Sequence, residues 1–260
     1  DSGINPEEIF SCSGKLEVDK NIFHCFEGKA HGNINMEKAI AYSCNTYFIE
    51  LAKKVGAEKI YNLSYNVGFS KPIELAPEMI AKKGELPSKE SLKSERVLAN
   101  FSFGQGRLMT TPIQVAGLIN TVASKGIYTE PKLVEGLVDE NLNYVKKFDK
   151  VTSKRVMSQN CTNLLKEYMK ASAEYGTGIK GKPNNGTAAV KTGTAQTGIK
   201  IDGRYVIQGW YAGFYPADNP KYSIIVFAED AKGGGESCGP AFKKIADDIY
   251  NDMKEILEMQ

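Results

Sequence analysis

One lysine stands among small and hydroxyl-bearing residues where the last third of the chain begins. Residues 188–198 read AAVKTGTAQTG, so that Lys191 is followed directly by Thr192, Gly193 and Thr194. On a β-strand, successive side chains alternate between the two faces, and a glycine lets a ligand or another backbone come close. If the strand is an edge, it can pair with an extended peptide, offer an N–H to a developing oxyanion and hold a carboxylate. The alternative is an ordinary strand with an exposed lysine.

Two phosphate-binding patterns do not fit this chain. A P-loop has a glycine directly before its lysine and a helix after it, whereas Val190 precedes Lys191 and the segment is strand-like. Residues 104–106 read GQG but do not continue to the third glycine of a dinucleotide fingerprint, and no strand-turn-helix unit surrounds them. We therefore predict a tight turn at 104–106 and no phosphate cradle at Lys191.

A second polar segment interrupts a helical pattern. Residues 33–56 place apolar side chains at roughly helical intervals, with two lysines in the last turn and Gly56 as the stop. Ser43, Cys44 and Asn45 break this pattern, because serine and asparagine favour hydrogen bonds to nearby backbone. The segment is predicted to be helix, interruption, helix. Taken alone, Ser43 and Asn45 are explained as a helix break with local capping.

Composition and charge exclude some classes of function. The chain has 260 residues, of which 42% are hydrophobic, and its 33 Lys plus Arg against 31 Asp plus Glu give a formal net charge of +2. This balance gives no electrostatic reason to expect nucleic acid or an acidic membrane surface as a partner. No apolar run approaches the ~18 residues of a membrane span, and the first residues do not form a signal peptide.

Five cysteines are scattered along the chain, at positions 12, 25, 44, 161 and 238. Their odd number does not suggest a disulfide framework, and no Cys-x-x-Cys pair is present. Cys12 and Cys25 flank a short loop with His24 and His31 close by, which could be a metal cluster, a disulfide or buried thiols. The spacing fits no standard ligand set, so we favour buried or free thiols and predict no metal and no cofactor.

The middle of the chain carries helix boundaries. Thr111 as N-cap, Pro112 at the first helical position and Gly126 after the last turn predict one helix. A long amphipathic helix is predicted further on, with Ser153 as N-cap and Gly176 as the stop.

Other segments are predicted to be connections. Residues 68–100 are rich in Lys, Glu, Ser and Pro and are interpreted as solvated connecting structure. Residues 139–143 are interpreted as the turn of a hairpin. The three glycines at 233–235 are interpreted as a mobile turn, placed where it could form the rim of a cleft.

The last third has the pattern of a sheet followed by a helix. Turn residues separate three segments that we predict to be consecutive antiparallel strands, at 188–197, 206–215 and 222–228. Pro240 then opens a helix with one apolar stripe, formed by Phe242, Ile245, Ile249, Met253 and Ile256. The predicted fold class is α+β, with a mainly helical part and an antiparallel sheet on which the terminal helix packs.

The two polar segments together resemble those of one enzyme family. SCN at 43–45 and KTGT at 191–194 look like the second and third motifs of the class B penicillin-binding protein transpeptidases. Other segments resemble this family in order and spacing, among them FSFGQGRLMTTPIQVAGLINTVASKG and GWYAGFYPADNP. The similarity runs through nearly the whole chain, so residues 1–260 are identified as a transpeptidase domain.

One motif of the family is absent from the sequence. Its nucleophile lies in a Ser-x-x-Lys motif upstream of Ser-x-Asn, and no serine of these 260 residues is followed three places later by lysine. We expect the chain to be a truncated one, which begins downstream of that motif and is inactive by itself. The alternative is a non-catalytic relative that serves as a scaffold or binding module in cell-wall synthesis.

The resemblance implies a mechanism for the complete enzyme. A serine attacks the penultimate D-alanine carbonyl of a peptidoglycan stem peptide, and the acyl group passes to an amine on a neighbouring strand. Ser43 is expected to relay a proton to the departing amine, and Asn45 to point its amide at the substrate backbone. Lys191 is expected to supply positive potential, while the hydroxyls of Thr192 and Thr194 hold the terminal carboxylate and the Thr194 N–H serves the oxyanion hole.

The resemblance also implies partners and a place in the cell. β-Lactam antibiotics are expected to acylate the same serine, and division or elongation proteins are expected partners. The domain is expected at the extracytoplasmic face of the bacterial membrane, anchored by an upstream segment. A β-lactamase or D,D-carboxypeptidase would use the same residues but deliver the acyl group to water.

Overall fold

The computed structural model describes residues 1–148 and 151–258. Seven α-helices lie in these ranges: α1 Met36–Ala41, α2 Asn45–Val55, α3 Ala57–Asn66, α4 Glu95–Ser102, α5 Pro112–Ala123, α6 Gln159–Glu174 and α7 Gly239–Glu258. The same ranges contain ten short strands: β1 Phe10–Cys12, β2 Lys15–Val18, β3 Asn21–His24, β4 Gly32–Ile34, β5 Ile73–Ala76, β6 Met79–Ala81, β7 Ile127–Thr129, β8 Gly136–Val138, β9 Tyr144–Lys147 and β10 Ser153–Arg155. Three longer strands follow: β11 Ala189–Ile201, β12 Arg204–Tyr215 and β13 Tyr222–Ala228.

The three long strands form the predicted antiparallel sheet, in the order β11-β12-β13. Alternate side chains of this sheet enter two different cores, as the two-residue period of a strand requires. Tyr211 and Tyr215 of β12 pack against Phe242 of α7, whereas Ala212 and Phe214 face a core that includes parts of α5 and α6. The predicted fold class is therefore confirmed, with helices on both faces of the sheet.

The apolar stripe of α7 differs in part from the prediction. Phe242 and Ala246 are fully buried and Ile249 packs beside them, which matches a helical spacing of four and three residues. Ile245 and Ile256, however, are 40% and 58% exposed. The prediction was wrong at these two positions, because helical spacing alone does not determine which side of the helix packs against the sheet.

Helix α5 begins as predicted. Thr111 forms a capping box: its hydroxyl accepts from the Gln114 N–H at 3.4 Å, and its own N–H donates to the Gln114 side chain at 3.0 Å. The Gln114 side chain is fully buried, and its amide nitrogen also donates to the carbonyls of Gly68 and Lys83, at 2.9 and 2.8 Å. Gln114 thus takes part in the cap of the helix and also holds the preceding segment against it by hydrogen bonds.

Residues 68–100 are more ordered than predicted. They contain the hairpin β5-β6 and most of α4, and their side chains Ile73, Leu86 and Leu92 are buried. The charged residues of the segment do lie at the surface, as the composition suggests. The prediction of connecting structure was nevertheless wrong, because a few apolar residues among many charges are sufficient to dock a segment on an existing core.

The long helix α6 begins later than predicted. Ser158 is its N-cap, with the hydroxyl accepting from the Cys161 N–H at 3.3 Å. The predicted cap, Ser153, instead begins strand β10, which pairs with β7. Pairing with a distant strand decided this boundary, since both serines are suitable caps by local propensity. The predicted hairpin turn at 139–143 is confirmed, because β8 and β9 pair on either side of it.

The N-terminal part surrounds the first two helices. Strands β1 and β4 pair with each other, as do β2 and β3. Residues of β1, β4, α1 and α2 share a small buried cluster that includes Ile34, Ala39 and Tyr47. Among the described residues, no helix has both the length and the apolar character needed to cross a membrane.

Candidate active site

Ser43 occupies a strained turn between α1 and α2. Its φ angle is 55°, in the left-handed region that a residue with a side chain rarely adopts. The turn is held by the Cys44 N–H, which donates to the Ala39 carbonyl at 2.9 Å. Cys44 is fully buried beneath the turn, whereas Ser43 is partly exposed. Backbone strain of this kind concentrates at functional sites, and here it presents a hydroxyl at the surface.

Four side chains form a continuous polar network across the gap between this turn and β11. The Lys191 ammonium donates to the Ser43 hydroxyl and, at 2.9 Å, to the Thr192 carbonyl. The Ser43 hydroxyl lies 3.2 Å from that of Thr177, which in turn lies 2.7 Å from the hydroxyl of Thr192. The two segments predicted to do chemistry, which are 148 residues apart, therefore meet in one site.

Thr177 is a member of this network that sequence analysis missed. Its N–H donates to the Ala41 carbonyl at 2.9 Å, which fixes it between α1 and β11. Gly176 and Gly178 flank it, and a side chain at either position would collide, with Ala41 at the first and with Val190 and Ser172 at the second. The sequence GTG directly after a long helix was the available signal, but it resembles an ordinary helix stop.

Lys191 is electrostatically unusual. The residue keeps some surface exposure, yet burial of its ammonium group lowers the pKa from 10.5 to about 8. The hydroxyl and carbonyl oxygens around it accept hydrogen bonds but carry no formal charge that would restore the pKa. A lysine of this kind can exchange a proton near neutral pH, which an ordinary surface lysine does not do.

Thr194 lies further along β11 and is fixed by two neighbouring segments. Its hydroxyl accepts from the Gly234 N–H at 3.1 Å, and its carbonyl accepts from the Gln105 side chain at 3.3 Å. The carbonyl therefore points away from β12, and the N–H of the same residue lies on the same side of the strand. This orientation leaves the Thr194 N–H facing the sheet edge, where an extended ligand could pair.

The glycines around Thr194 permit close packing. A side chain at Gly234 would collide with the carbonyls of Gly193 and Trp210. Residues 233 and 234 are buried, and Gly234–Cys238 form a helical turn that leads into α7. Gly234 and Gly235 thus permit close approach of the backbone in this turn, and the mobility of the segment stays a prediction. The predicted turn at 104–106 is confirmed by left-handed φ angles of 81° and 80° at its two glycines.

Asn45 is the first residue of α2 and lies two positions after Ser43 in the chain. Its side-chain amide donates to the His24 carbonyl at 2.9 Å, so it fixes the loop after β3 to the start of the helix. Its role toward a substrate stays a prediction, as do the roles of Ser43, Lys191 and residues 192–194.

The five cysteines are all free thiols in this structure. Cys12 and Cys25, which were considered as a pair, are both buried, and His31 lies close to them. Cys44 joins them, which sequence spacing did not indicate. His24, the nearer histidine in sequence, is exposed and is not part of the group.

Comparison with known proteins identifies the class. The family described as penicillin-binding protein transpeptidase domain matches residues 1–247, and the chain belongs to this family. Solved structures with the same fold include the D,D-transpeptidase domain of a peptidoglycan glycosyltransferase from Eggerthella lenta, with a TM-score of 0.83, 22% identity and 96% coverage of this chain and 61% of that one. Penicillin-binding protein 3 of Mycobacterium tuberculosis in complex with aztreonam has a TM-score of 0.81 and 23% identity, and the match covers 96% of this chain and 58% of that one.

Particular relatives are named by their activity. The peptidoglycan D,D-transpeptidase PbpA of Mycolicibacterium smegmatis is 32% identical over 198 residues, which are 76% of this chain and 39% of the relative. The peptidoglycan D,D-transpeptidase MrdA of Haemophilus influenzae is 28% identical over 253 residues, 88% of this chain and 38% of the relative. The chain thus spans about two fifths of the length of these curated relatives.

Proposed function

We propose that this chain forms the substrate-binding wall of a peptidoglycan D,D-transpeptidase whose nucleophilic serine lies outside these 260 residues. The observation that carries the proposal is the polar network in which Ser43 connects Lys191 to Thr177 and Thr192. It lies beside the edge of β11, where an extended peptide can add to the sheet. The relatives named as D,D-transpeptidases support the same activity.

Each group has a role in the proposed acyl transfer. The nucleophilic serine attacks the substrate carbonyl, and the negative charge that develops on the carbonyl oxygen is stabilised by the edge-facing Thr194 N–H. Ser43 lies between a lysine of lowered pKa and the Thr177 hydroxyl, so it can pass a proton to the departing amine. The hydroxyls of Thr192 and Thr194 and the Lys191 charge hold the carboxylate at the end of the peptide.

β-Lactams are proposed to acylate the same serine, since a solved relative of this fold is described in complex with aztreonam. The complete protein is proposed to act at the extracytoplasmic face of the membrane, anchored by a segment outside this chain, together with proteins of the division or elongation machinery.

The test is acylation of the full-length protein by a fluorescent penicillin. Lys191→Ala should lower the second-order acylation rate about 10²–10³-fold, because it removes positive charge from the position where the substrate carboxylate and oxyanion are stabilised. The matched control is Lys200→Ala, a change of an exposed lysine on the same strand. That variant should stay within about twofold of wild type, and both variants should remain folded, which circular dichroism checks.

Three outcomes distinguish the alternatives. Unchanged acylation of Lys191→Ala would contradict the proposed role of the β11 wall. A folded full-length protein that is never labelled would favour a scaffold module. Rapid loss of the label, with hydrolysed product, would favour a β-lactamase or carboxypeptidase, because a transpeptidase holds the penicilloyl group.

A further inference from the structure

The Gln105 side chain occupies a hydrogen-bonding position at the edge of the three-stranded sheet. In the part of the chain that the structure describes, β11 pairs with β12 on one side and with no strand on the other. The Thr194 carbonyl faces that open side, where it accepts from the Gln105 amide nitrogen at 3.3 Å. The acyl transfer as proposed gives Gln105 no role. Its contact nevertheless lies where a peptide would add to the sheet.

A neighbouring carbonyl on the same edge also accepts from a side chain. Residues two apart on a strand direct their backbone groups to the same side, so the Thr192 carbonyl faces the edge as well. It accepts from the Lys191 ammonium at 2.9 Å. That bond belongs to the polar network of the site, whereas the Gln105 bond comes from a separate segment. An edge whose carbonyls are already bonded is a poor template for a further strand.

A tight turn after α4 presents Gln105 to the strand. Gly104 and Gly106 flank it with φ angles of 81° and 80°, which glycine adopts at little cost. The Gly104 N–H donates to the carbonyl of Phe101, a core residue, at 3.1 Å. The Gln105 N–H donates to the Asn100 carbonyl at 2.9 Å. The backbone of Gln105 is therefore fixed, while its partly exposed side chain is free to change rotamer.

A peptide that adds to this edge needs both backbone groups of Thr194. In a hydrogen-bonded antiparallel pair, each residue donates its N–H to the carbonyl of the residue opposite. The ligand residue opposite Thr194 therefore places its carbonyl at the Thr194 N–H and its own N–H at the Thr194 carbonyl. Under the proposed function, this ligand carbonyl is the one that the nucleophilic serine attacks. The N–H of the same ligand residue then needs the position that Gln105 holds.

The length of the Gln105 bond suits a contact that is exchanged. At 3.3 Å it is longer than the usual separation of about 2.9–3.0 Å, so a ligand N–H at that usual distance forms the stronger bond. Gln105 and Thr194 are both partly exposed, which lets water solvate the glutamine amide once it has left. The Thr194 carbonyl keeps one donor throughout the exchange.

We propose that Gln105 is a specificity-determining residue, whose amide caps the Thr194 carbonyl until the backbone N–H of the acyl donor replaces it. One N–H donor then substitutes for another, so a ligand residue that has an N–H costs the site no hydrogen bond. A ligand with an ester oxygen at this position has no proton to offer and leaves Gln105 in place. The assignment of that ligand residue rests on the proposed function.

The first test compares two penicillins on the full-length protein. On the carbon next to the β-lactam carbonyl, one carries its side chain through an amide N–H and the other through an ester oxygen. Gln105→Met keeps the length of the side chain but cannot donate. We expect it to raise the ratio of amide to ester acylation rates about three- to tenfold, the effect of one typical hydrogen bond. Intact-mass measurements over time give both second-order rate constants.

The second test observes the exchange in crystal structures of the two acyl-enzymes of the full-length protein. With the amide penicillin, we expect the Gln105 amide nitrogen to lie more than about 4 Å from the Thr194 carbonyl oxygen, beyond hydrogen-bonding distance. With the ester penicillin, the bond between Gln105 and Thr194 should remain. If Gln105 only supported the turn, its position would not depend on the linkage of the penicillin side chain.

Two further variants complete the kinetic test. Gln159→Met is the matched control, because Gln159 is an exposed glutamine at the first position of α6, at the other end of this helix from Thr177. It should keep both rates within about twofold of wild type. Gln105→Asn retains an amide but is one methylene shorter, so it should raise the amide-to-ester ratio as Gln105→Met does. It keeps the test available if Gln105→Met does not fold.

Labelling of the wild-type protein separates two kinds of failure. If both penicillins acylate wild type but the amide-to-ester ratio is unchanged in folded Gln105 variants, the exchange at Thr194 is refuted and the proposed function stands. The same conclusion follows if Gln105 still donates to the Thr194 carbonyl in the amide acyl-enzyme. A folded wild-type protein that neither penicillin acylates would overturn the proposed function and, with it, this role of Gln105.

Discussion

The β11 wall lies on one side of Ser43, and a buried group of side chains, Cys12, Cys25, His31 and Cys44, lies on the other. We call this group the thiol cluster, and the two regions are built in opposite ways. The wall consists of four consecutive residues, 191–194, whose positions follow from pairing of β11 with β12. The thiol cluster takes its four side chains from separate segments of the first 44 residues. A contiguous motif on a regular strand can be read along the sequence, whereas a site assembled from several loops exists only once the loops are packed.

The two regions also differ in what holds them in place. Behind the wall, Val190 and Tyr211 are fully buried and pack with α7, so the hydrophobic effect fixes the strand. The three thiols belong to a separate, smaller buried cluster, together with Ile34, Ala39 and Tyr47. The comparison teaches that one side of the site is stabilised by a sheet and its core, whereas the other depends on the packing of several short segments.

The largest effect expected from this comparison is at Thr177, which connects the two sides. Thr177→Val keeps the shape of the side chain but removes the hydroxyl that lies 3.2 Å from Ser43 and 2.7 Å from Thr192. We expect penicillin acylation of the full-length protein to fall about tenfold, with little change in Tm. The control is Thr197→Val on β11, which removes a hydroxyl that donates to the Val206 carbonyl outside the network. Equal rates in the two variants would show that the two sides act without this bridge.

A smaller effect concerns the pH dependence of stability. Because burial lowers the pKa of Lys191 to about 8, unfolded protein binds a proton between about pH 8 and 10.5 that folded protein has lost. The free energy of unfolding of wild type, relative to Lys191→Met, should therefore rise with pH across this window, and stay constant below it, where both states are protonated. Urea titrations at a series of pH values measure this difference. A flat difference would mean that Lys191 is solvated like a surface lysine.

The smallest effect separates local propensity from tertiary pairing. Ser158→Ala removes the N-cap of α6 and should lower the free energy of unfolding by about 1 kcal/mol. Ser153→Ala, at the position predicted from sequence, should change it by less than about 0.5 kcal/mol, since that serine is exposed in a strand. Chemical denaturation of both variants gives the comparison, and the reverse order would contradict the observed start of the helix.

Much of the fold could be predicted from local patterns. The capping box at Thr111, the three long strands and the closing helix each carry their signal within a few neighbouring residues. Segment 68–100 could not be predicted, because its order comes from contacts such as Gln114 with the Gly68 carbonyl. The exposure of Ile245 could not be predicted either, because its position fits the helical period but no other element covers it.

The sequence by itself determined the family, the sheet and the residues of the two polar motifs, because these depend on residue types at short, regular spacing. Only the tertiary structure decided that Thr177 joins Ser43 to Thr192 and that Cys44 lies with Cys12 and Cys25. The physical reason is the range of the interactions. Propensity, capping and strand alternation act between near neighbours, whereas a hydroxyl chain or a group of buried thiols needs several distant segments to be packed at once.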